Sequence, residues 1–351
     1  MHKLPINFNY EDPDILKALI TAKYELGNLN GLINLLPNPK IILNAIILGE
    51  AKESSSIENI VTTFDDIFKE ITLNTKNYNA KEVVNYREAL LKGYYKIINK
   101  GYISTNMIID IHSVIEPNVG GIRKTPRTVI LNTKTKEVLH TPPQSEREII
   151  EYMDNLERYI NYPEMHDIDV ILKMAMIHYQ FESIHPFHDG NGRTGRVLNI
   201  LYLVLTNQIK LPILYLSKYI NNTRDEYYSH LHNIRIDNKN IKDYLLYMVK
   251  GVEKTAKFTI SFINNFMSLM KDVTSRIKEA CPEIYSEKLI NYLFFDFYTK
   301  NELFRENLGV SRNTASKYLN LLVDHGILIV EKVGKQKIYK NTYLYSLINN
   351  W

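Results

Sequence analysis

The residues best placed to do chemistry lie in one continuous stretch, His185-Pro186-Phe187-His188-Asp189-Gly190-Asn191-Gly192-Arg193-Thr194-Gly195-Arg196. It follows an apolar helix and opens another. Gly190 and Gly192 let the backbone turn tightly and come close to a ligand. The N–H groups at the start of the following helix point into the loop and create a site for an anion. Arg193 and Arg196 stand three residues apart, which puts both on one helix face within reach of phosphate oxygens. Asp189 is a hard oxygen ligand suited to Mg²⁺ held against a diphosphate. His185 can take a proton near neutral pH, imidazole titrating at about 6.5 in free peptides. Base, metal-type carboxylate, anion cradle and two arginines within twelve residues point to phosphate chemistry rather than to a glycine-rich surface loop.

This stretch resembles the Fic-family signature, His-Pro-Phe-x-(Asp/Glu)-Gly-Asn-Gly-Arg-x-x-Arg, at every fixed position, and Ile177–Ile184 resembles the helix that leads into it. The resemblance runs over roughly residues 14–250 and implies transfer of AMP from ATP to a Tyr, Thr or Ser hydroxyl of a target protein or of the chain itself. It makes His185 the general base. It implies ATP contacts from Asp189, Gly190, Asn191, Gly192, Arg193, Thr194, Gly195 and Arg196, with Asp189 holding Mg²⁺ or Mn²⁺. Asn191 and the loop backbone would steady charge at the α-phosphate, the two arginines would grip the outer phosphates, and Phe187 would be a packing anchor. Doc-type kinase relatives usually replace the later glycine and arginine of the loop. Both are present here, which favours AMP transfer over phosphate transfer.

Two further segments resemble parts of the same family. Thr128–His140 resembles the flap hairpin that adds a target segment as an extra strand through main-chain hydrogen bonds, although Pro126-Arg127-Thr128 stands where the family usually has Gln-Val. Arg224-Asp225-Glu226-Tyr227-Tyr228 resembles the adenine-side segment, which makes Tyr227 a base-packing residue or, equally, a core tyrosine. Upstream, Ser54-Ser55-Ser56-Ile57-Glu58-Asn59 resembles the inhibitory motif (Ser/Thr)-x-x-x-Glu-(Gly/Asn). Ser54 and Glu58 share a helix face, and Asn59 suits the left-handed position that ends a helix. Glu58 thus meets the negative end of the helix dipole, which disfavours an anion there by a few tenths to ~1 kcal/mol. The resemblance assigns an inhibitory role to Ser54, Glu58 and Asn59 and places Glu58 at the ATP site.

The elements that must carry these residues read as mainly α. Leu16, Leu19, Ile20, Ala22 and Leu26 recur at helical spacing, with Gly27, Asn28 and Gly31 expected to break the run. Leu36-Pro37-Asn38-Pro39 reads as a turn launching a helix that ends near Asn59. Residues 80–115 are helical, with Val83, Val84, Tyr86, Leu90, Tyr94 and Ile97 as the core stripe. Residues 128–131 and 138–140 read as strands joined by Asn132–Lys136. Helices resume from Glu146, at Val170–Phe181, from Gly192 to about Thr206, and as a pair over 223–270.

The C-terminal segment reads as a separate unit beyond Ala280-Cys281-Pro282. Three short helices near 286–297, 300–307 and 311–324 precede a hairpin at 327–339, which resembles a winged helix-turn-helix. Ser311 is its N-cap, and Ala315, Leu319 and Leu322 form its buried face. Residues 300–340 hold eight Lys/Arg and four Asp/Glu, a mild excess that leaves DNA contact and a docking or dimer role equally open. The expected organisation is an N-terminal helical region with the inhibitory helix (1–100), a Fic-type core with a hairpin flap (101–270) and the winged unit (281–351).

Composition sets the outer limits. With 45% hydrophobic and 23% charged residues the chain can bury real cores and is not disordered throughout. The single cysteine, Cys281, rules out an internal disulfide framework and fits a reducing cytoplasm. The N-terminus reads as no signal peptide, and no apolar run reaches the roughly 18–20 residues of a membrane helix. A net charge of +4 restricts nucleic-acid binding to a local patch. Expected partners are ATP and a target protein along the flap, with self-association open and no membrane. A DNA-binding regulator using the core as a sensor is the rival reading, and the intact loop speaks against it. Within enzymes the rivals are transfer of another phosphate-linked group and removal of AMP.

Overall fold

The computed structural model describes residues 2–36, 38–131 and 136–351. Pro37, in the turn expected at 36–39, and residues 132–135, in the expected hairpin loop, lie outside them. The chain is mainly helical: α1 (Pro13–Asn34), α2 (Pro39–Ile57), α3 (Phe64–Leu73), α4 (Tyr78–Lys100) and α5 (Thr105–Ile115) precede a short hairpin of β1 (Ile130–Leu131) and β2 (Val138–His140). Then come α6 (Glu146–Asn161), α7 (Val170–Ile184), α8 (Asn191–Leu205), α9 (Leu216–Asn222), α10 (Arg224–Ile236) and α11 (Ile241–Ala280). The C-terminal unit holds α12 (Glu287–Phe295), β3 (Tyr298–Thr299), α13 (Asn301–Leu308), α14 (Arg312–Asp324), β4 (Ile329–Val333), β5 (Gln336–Lys340) and α15 (Thr342–Asn349).

The centre of the core is the antiparallel pair α7 and α8. Apart from Val170, every residue of α7 is buried, polar ones included, so this helix reads as apolar all round and must be enclosed by others. Gly93 lets α4 press against α8, since a Cβ there would collide with Leu201. Gly195 does the same between α8 and α7, where a Cβ would meet Phe181 at 3.1 Å. The expected stripe on α4 is buried at Val83, Val84, Tyr86, Leu90 and Ile97.

Helix α1 differs from the sequence expectation in two ways. Its buried face is Ile15, Leu19, Ala22, Leu26, Leu29 and Ile33, while Leu16 and Ile20 are 45% and 72% exposed. It also runs unbroken through Gly27 and Gly31. Each glycine costs about 0.5–1 kcal/mol against alanine in a helix, but packing of the buried face along α11 outweighs that.

In the C-terminal unit the strands pair in the order β3-β5-β4, all antiparallel. Ser311 caps α14 through Thr314 N, and Ala315, Leu319 and Leu322 are its buried residues. The unit is docked on the N-terminal helices. Phe297 stacks on Phe68 of α3 with ring centroids 4.2 Å apart, and Lys340 pairs with Asp65 at 2.7 Å.

Candidate active site

The loop between α7 and α8 is fixed from within. α7 ends at His185 with φ 49° and ψ 59°, a left-handed conformation that non-glycine residues seldom adopt. Such local strain persists only where the surroundings hold it, and Arg123 supplies that hold. Its Nε donates to His185 O at 2.8 Å, and its backbone N–H donates to Pro186 O at 2.9 Å. Gly190 has φ 72°, and a Cβ there would stand 2.9 Å from Glu116 Cγ. His112 Nε2 donates to Asp189 O at 2.9 Å, and its ring stacks on Phe187 at 3.7 Å. Phe187 is therefore the packing anchor that was expected.

Several other loop residues are committed to shape. The Asn191 amide accepts from Phe187 N at 2.9 Å and donates to Phe187 O at 2.8 Å, so it braces the turn. The Thr194 hydroxyl donates to Gly190 O at 2.8 Å, and Gly195 faces α7. Both support the loop from behind and do not line it.

The two arginines go separate ways. Arg193 is 2% exposed and ion-pairs with both Glu82 on α4 and Glu116 at the end of α5. In this structure it is a buried counter-ion joining three helices and lies apart from Arg196, beside which it was expected to grip phosphate. Arg196 turns toward α2. Its Nε donates to Ser54 Oγ at 2.8 Å, and its Nη2 donates to Ser54 O at 2.9 Å and to Glu58 Oε1 at 2.8 Å. Glu58 caps the C-terminus of α2, and Asn59 follows with φ 63°. The Glu58 carboxylate lies over Gly192, where a Cβ would collide with its Oε1. The first-turn N–H groups of α8 lack intrahelical acceptors, so a carboxylate sits at the mouth of the anion cradle.

The end of α2 is anchored by a residue the sequence reading passed over. Glu50 is fully buried and accepts from Tyr86 Oη at 3.1 Å and from Ser217 N at 2.9 Å. Burial pushes its carboxyl up to about 7 despite these bonds. A glutamate directly after the apolar run Ile41–Gly49 was the available signal. Asn59 Oδ1 accepts from Arg224 Nη1 at 3.0 Å, which ties the motif to the start of α10.

Around His185 the environment is enclosed and positive. Burial pulls its pKa down to about 4, with the Arg235 and Arg123 charges adding to the effect. At neutral pH the ring is uncharged, and its buried Nδ1 has no partner among the described residues. Arg235 donates to Ser183 Oγ at 3.2 Å and to Glu182 O at 3.1 Å. His140 of β2 donates through Nε2 to Ser183 O at 2.8 Å, which pins the hairpin beside the histidine. Tyr227 is 1% exposed, with its hydroxyl on His178 Nε2 at 2.8 Å. That makes it the core tyrosine of the two readings, while Tyr228 is 38% exposed.

Comparison with known proteins agrees with this arrangement. Residues 16–95 match the Fic/DOC family N-terminal region, residues 102–203 the Fic/DOC family, and residues 269–344 the C-terminal domain of SoFic-like protein adenylyltransferases. Similar curated proteins include protein adenylyltransferase fic-1 of Caenorhabditis elegans, 28% identical over 38% of this chain and 24% of that one. A probable protein adenylyltransferase of Aquifex aeolicus is 26% identical over 49% of this chain and 52% of its own length. The matches thus span from a quarter to half of these relatives. Among solved structures, a Fic family protein from Desulfovibrio desulfuricans superposes with a TM-score of 0.61 at 18% identity, covering 97% of this chain and 98% of that one. Fic-1 of C. elegans superposes with 0.55 at 21% identity, covering 70% and 72%. With successive matches along most of its length and the loop intact on the expected pair of helices, the chain belongs to the Fic/DOC family.

Proposed function

We propose that the chain is a protein adenylyltransferase held inactive by Glu58. The observation that carries this reading is the carboxylate of Glu58 on Arg196 at 2.8 Å, over Gly192. An anion-binding loop with an arginine beside it is met by an anion of the chain itself. The names of the similar proteins supply the reaction class.

In the proposed reaction a target hydroxyl oxygen attacks the α-phosphorus of ATP. The bond from that phosphorus to the bridging oxygen breaks, pyrophosphate leaves, and the hydroxyl proton passes to His185. The neutral ring can accept that proton. The N–H groups at the start of α8 face charge that grows on the phosphate. Arg196, once free of Glu58, is available to an outer phosphate. Asp189 is exposed at the loop edge and is the residue that would hold Mg²⁺ or Mn²⁺, whose charge would neutralise the diphosphate. No group of three or more His, Cys, Asp or Glu among the described residues could hold a metal. A single carboxylate still suits an ion that takes its other ligands from phosphate and water. The hairpin over 128–140 is the edge along which a target strand would lie.

The reading is tested by incubating a cell lysate with ATP and the Glu58→Gly variant and searching peptides for AMP on Tyr, Thr or Ser by mass spectrometry. AMP-bearing peptides that vanish with Glu58→Gly/His185→Ala support it. Identical peptide sets with and without the histidine would overturn it.

A further inference from the structure

Among the described residues, one face of helix α1 is left largely uncovered. Leu16, Ile20 and Tyr24 are 45%, 72% and 65% exposed on its first half, and Leu35, just past its end, is 79% exposed. Between them lie Gly27 and Gly31, and a Cβ built on either would meet nothing within 4 Å. Positions 16, 20, 24, 27, 31 and 35 step by four, four, three, four and four, so they form one continuous stripe. The stripe is bulky in its first half and flat in the middle of its second. A contiguous apolar strip of this kind marks an interaction surface on a soluble chain. The glycines sharpen the point. Each weakens the helix, and neither is required by packing inside the chain or by a positive φ.

The stripe is complementary to itself when reversed. Turn a second α1 antiparallel about a two-fold axis between positions 25 and 26. Tyr24 then faces Gly27 of the second copy, Ile20 faces Gly31, and Leu16 faces Leu35. Each large side chain but the last pair thus meets a glycine, where backbones can approach closely. The flanking positions obey the same operation. Lys23 comes opposite Asn28, and Lys17 opposite Asn34, whose Oδ1 accepts from Lys210 Nζ at 2.7 Å. A closed two-fold pair uses one patch on both copies and needs this kind of self-complementarity.

We propose that α1 is the interface of a homodimer, with a second copy of this chain packed antiparallel on the stripe. The inference stands independently of the transfer reaction. It predicts that the full chain runs at twice its chain mass in light scattering after size exclusion, and at the single mass as Ile20→Lys. The substituted side chain is mostly in solvent within one chain, so the variant keeps its fold, which its far-UV circular dichroism and melting curve check.

Cross-linking fixes the orientation. Chains carrying Ile20→Cys and chains carrying Gly31→Cys, differently tagged, are mixed and oxidised. The facing pair can come within the Cα separation of about 7 Å that a disulfide needs. In either variant alone the two cysteines of an antiparallel pair stand eleven residues apart along the axis, roughly 16 Å, and should not bridge. Native Cys281 is buried, and the unsubstituted chain serves as the control. A mixed disulfide formed only in the mixed sample supports the proposal. A wild-type chain that stays at the single mass at every soluble concentration overturns it, and the face then serves another partner. An Ile20→Lys chain that stays at double mass, or bridging in single-variant samples, overturns it as well.

Discussion

Arg193 and Arg196, one turn apart on α8, hold opposite kinds of partner: Arg193 is closed in by the carboxylates of Glu82 and Glu116, whereas Arg196 holds Ser54 and the half-exposed Glu58. The first arrangement is enclosed in the core, whereas in the second the carboxylate side chain is 34% exposed.

Arg193→Ala should therefore act on stability. It would leave two carboxylates buried without a cation, and breaking a buried pair of this kind costs about 3–5 kcal/mol. Chemical denaturation should show that loss. An unchanged midpoint together with weakened ATP binding would make Arg193 a phosphate ligand instead.

His185→Ala should abolish transfer and leave ATP binding largely intact, because the ring acts on the hydroxyl. Loss of a general base costs roughly 10²–10⁴-fold. The comparison is best made in the Glu58→Gly background, by label transfer and by nucleotide titration. Near-normal labelling would contradict the assignment.

The pH profile follows from the depressed pKa. Burial, with Arg235 and Arg123 nearby, places the His185 pKa at about 4, below its ordinary value near 6.5. A lowered histidine pKa means the neutral base persists as pH falls and is lost only on passing through the lowered value. Transfer by Glu58→Gly should thus be level between about pH 6 and 8 on the acid side and fall only toward pH 4. An acid limb with its midpoint near 6.5 would show that His185 works in an open, solvated setting.

Metal dependence tests Asp189. Chelation should stop transfer, Mg²⁺ or Mn²⁺ should restore it, and Asp189→Ala should lose it even at high metal concentration. Activity resistant to chelators would remove Asp189 from the proposed role.

What the sequence could reveal depended on distance along the chain. The loop over 185–196 was legible because all its parts are contiguous, as was Ser54–Asn59, whose helix end and left-handed Asn59 follow from local preference. The partners of Arg193 were not, since Glu82 and Glu116 lie far upstream and only the packing of α4 and α5 brings them in. Asn191 and Tyr227 have side chains suited to a ligand, but in the fold the first bonds to Phe187 and the second to His178, partners that sequence spacing does not reveal. In α1, two apolar stripes run side by side, and spacing alone could not choose between the one led by Ile15 and the one led by Leu16. Nor could it show that Gly27 and Gly31 would be carried through by burial of Leu26, Leu29 and Ile33.

The central claim is that Glu58 holds Arg196 and so keeps the site inactive. The direct measurement is labelling with α-³²P-ATP by wild type, Glu58→Gly, Arg196→Ala and the double variant. Glu58→Gly should label at least tenfold more than wild type, about 1.4 kcal/mol in the competent population. The double variant should show no such gain, since it lacks the arginine that release would restore. Equal labelling by wild type and Glu58→Gly would contradict the inhibitory role and reduce Glu58 to the cap of α2.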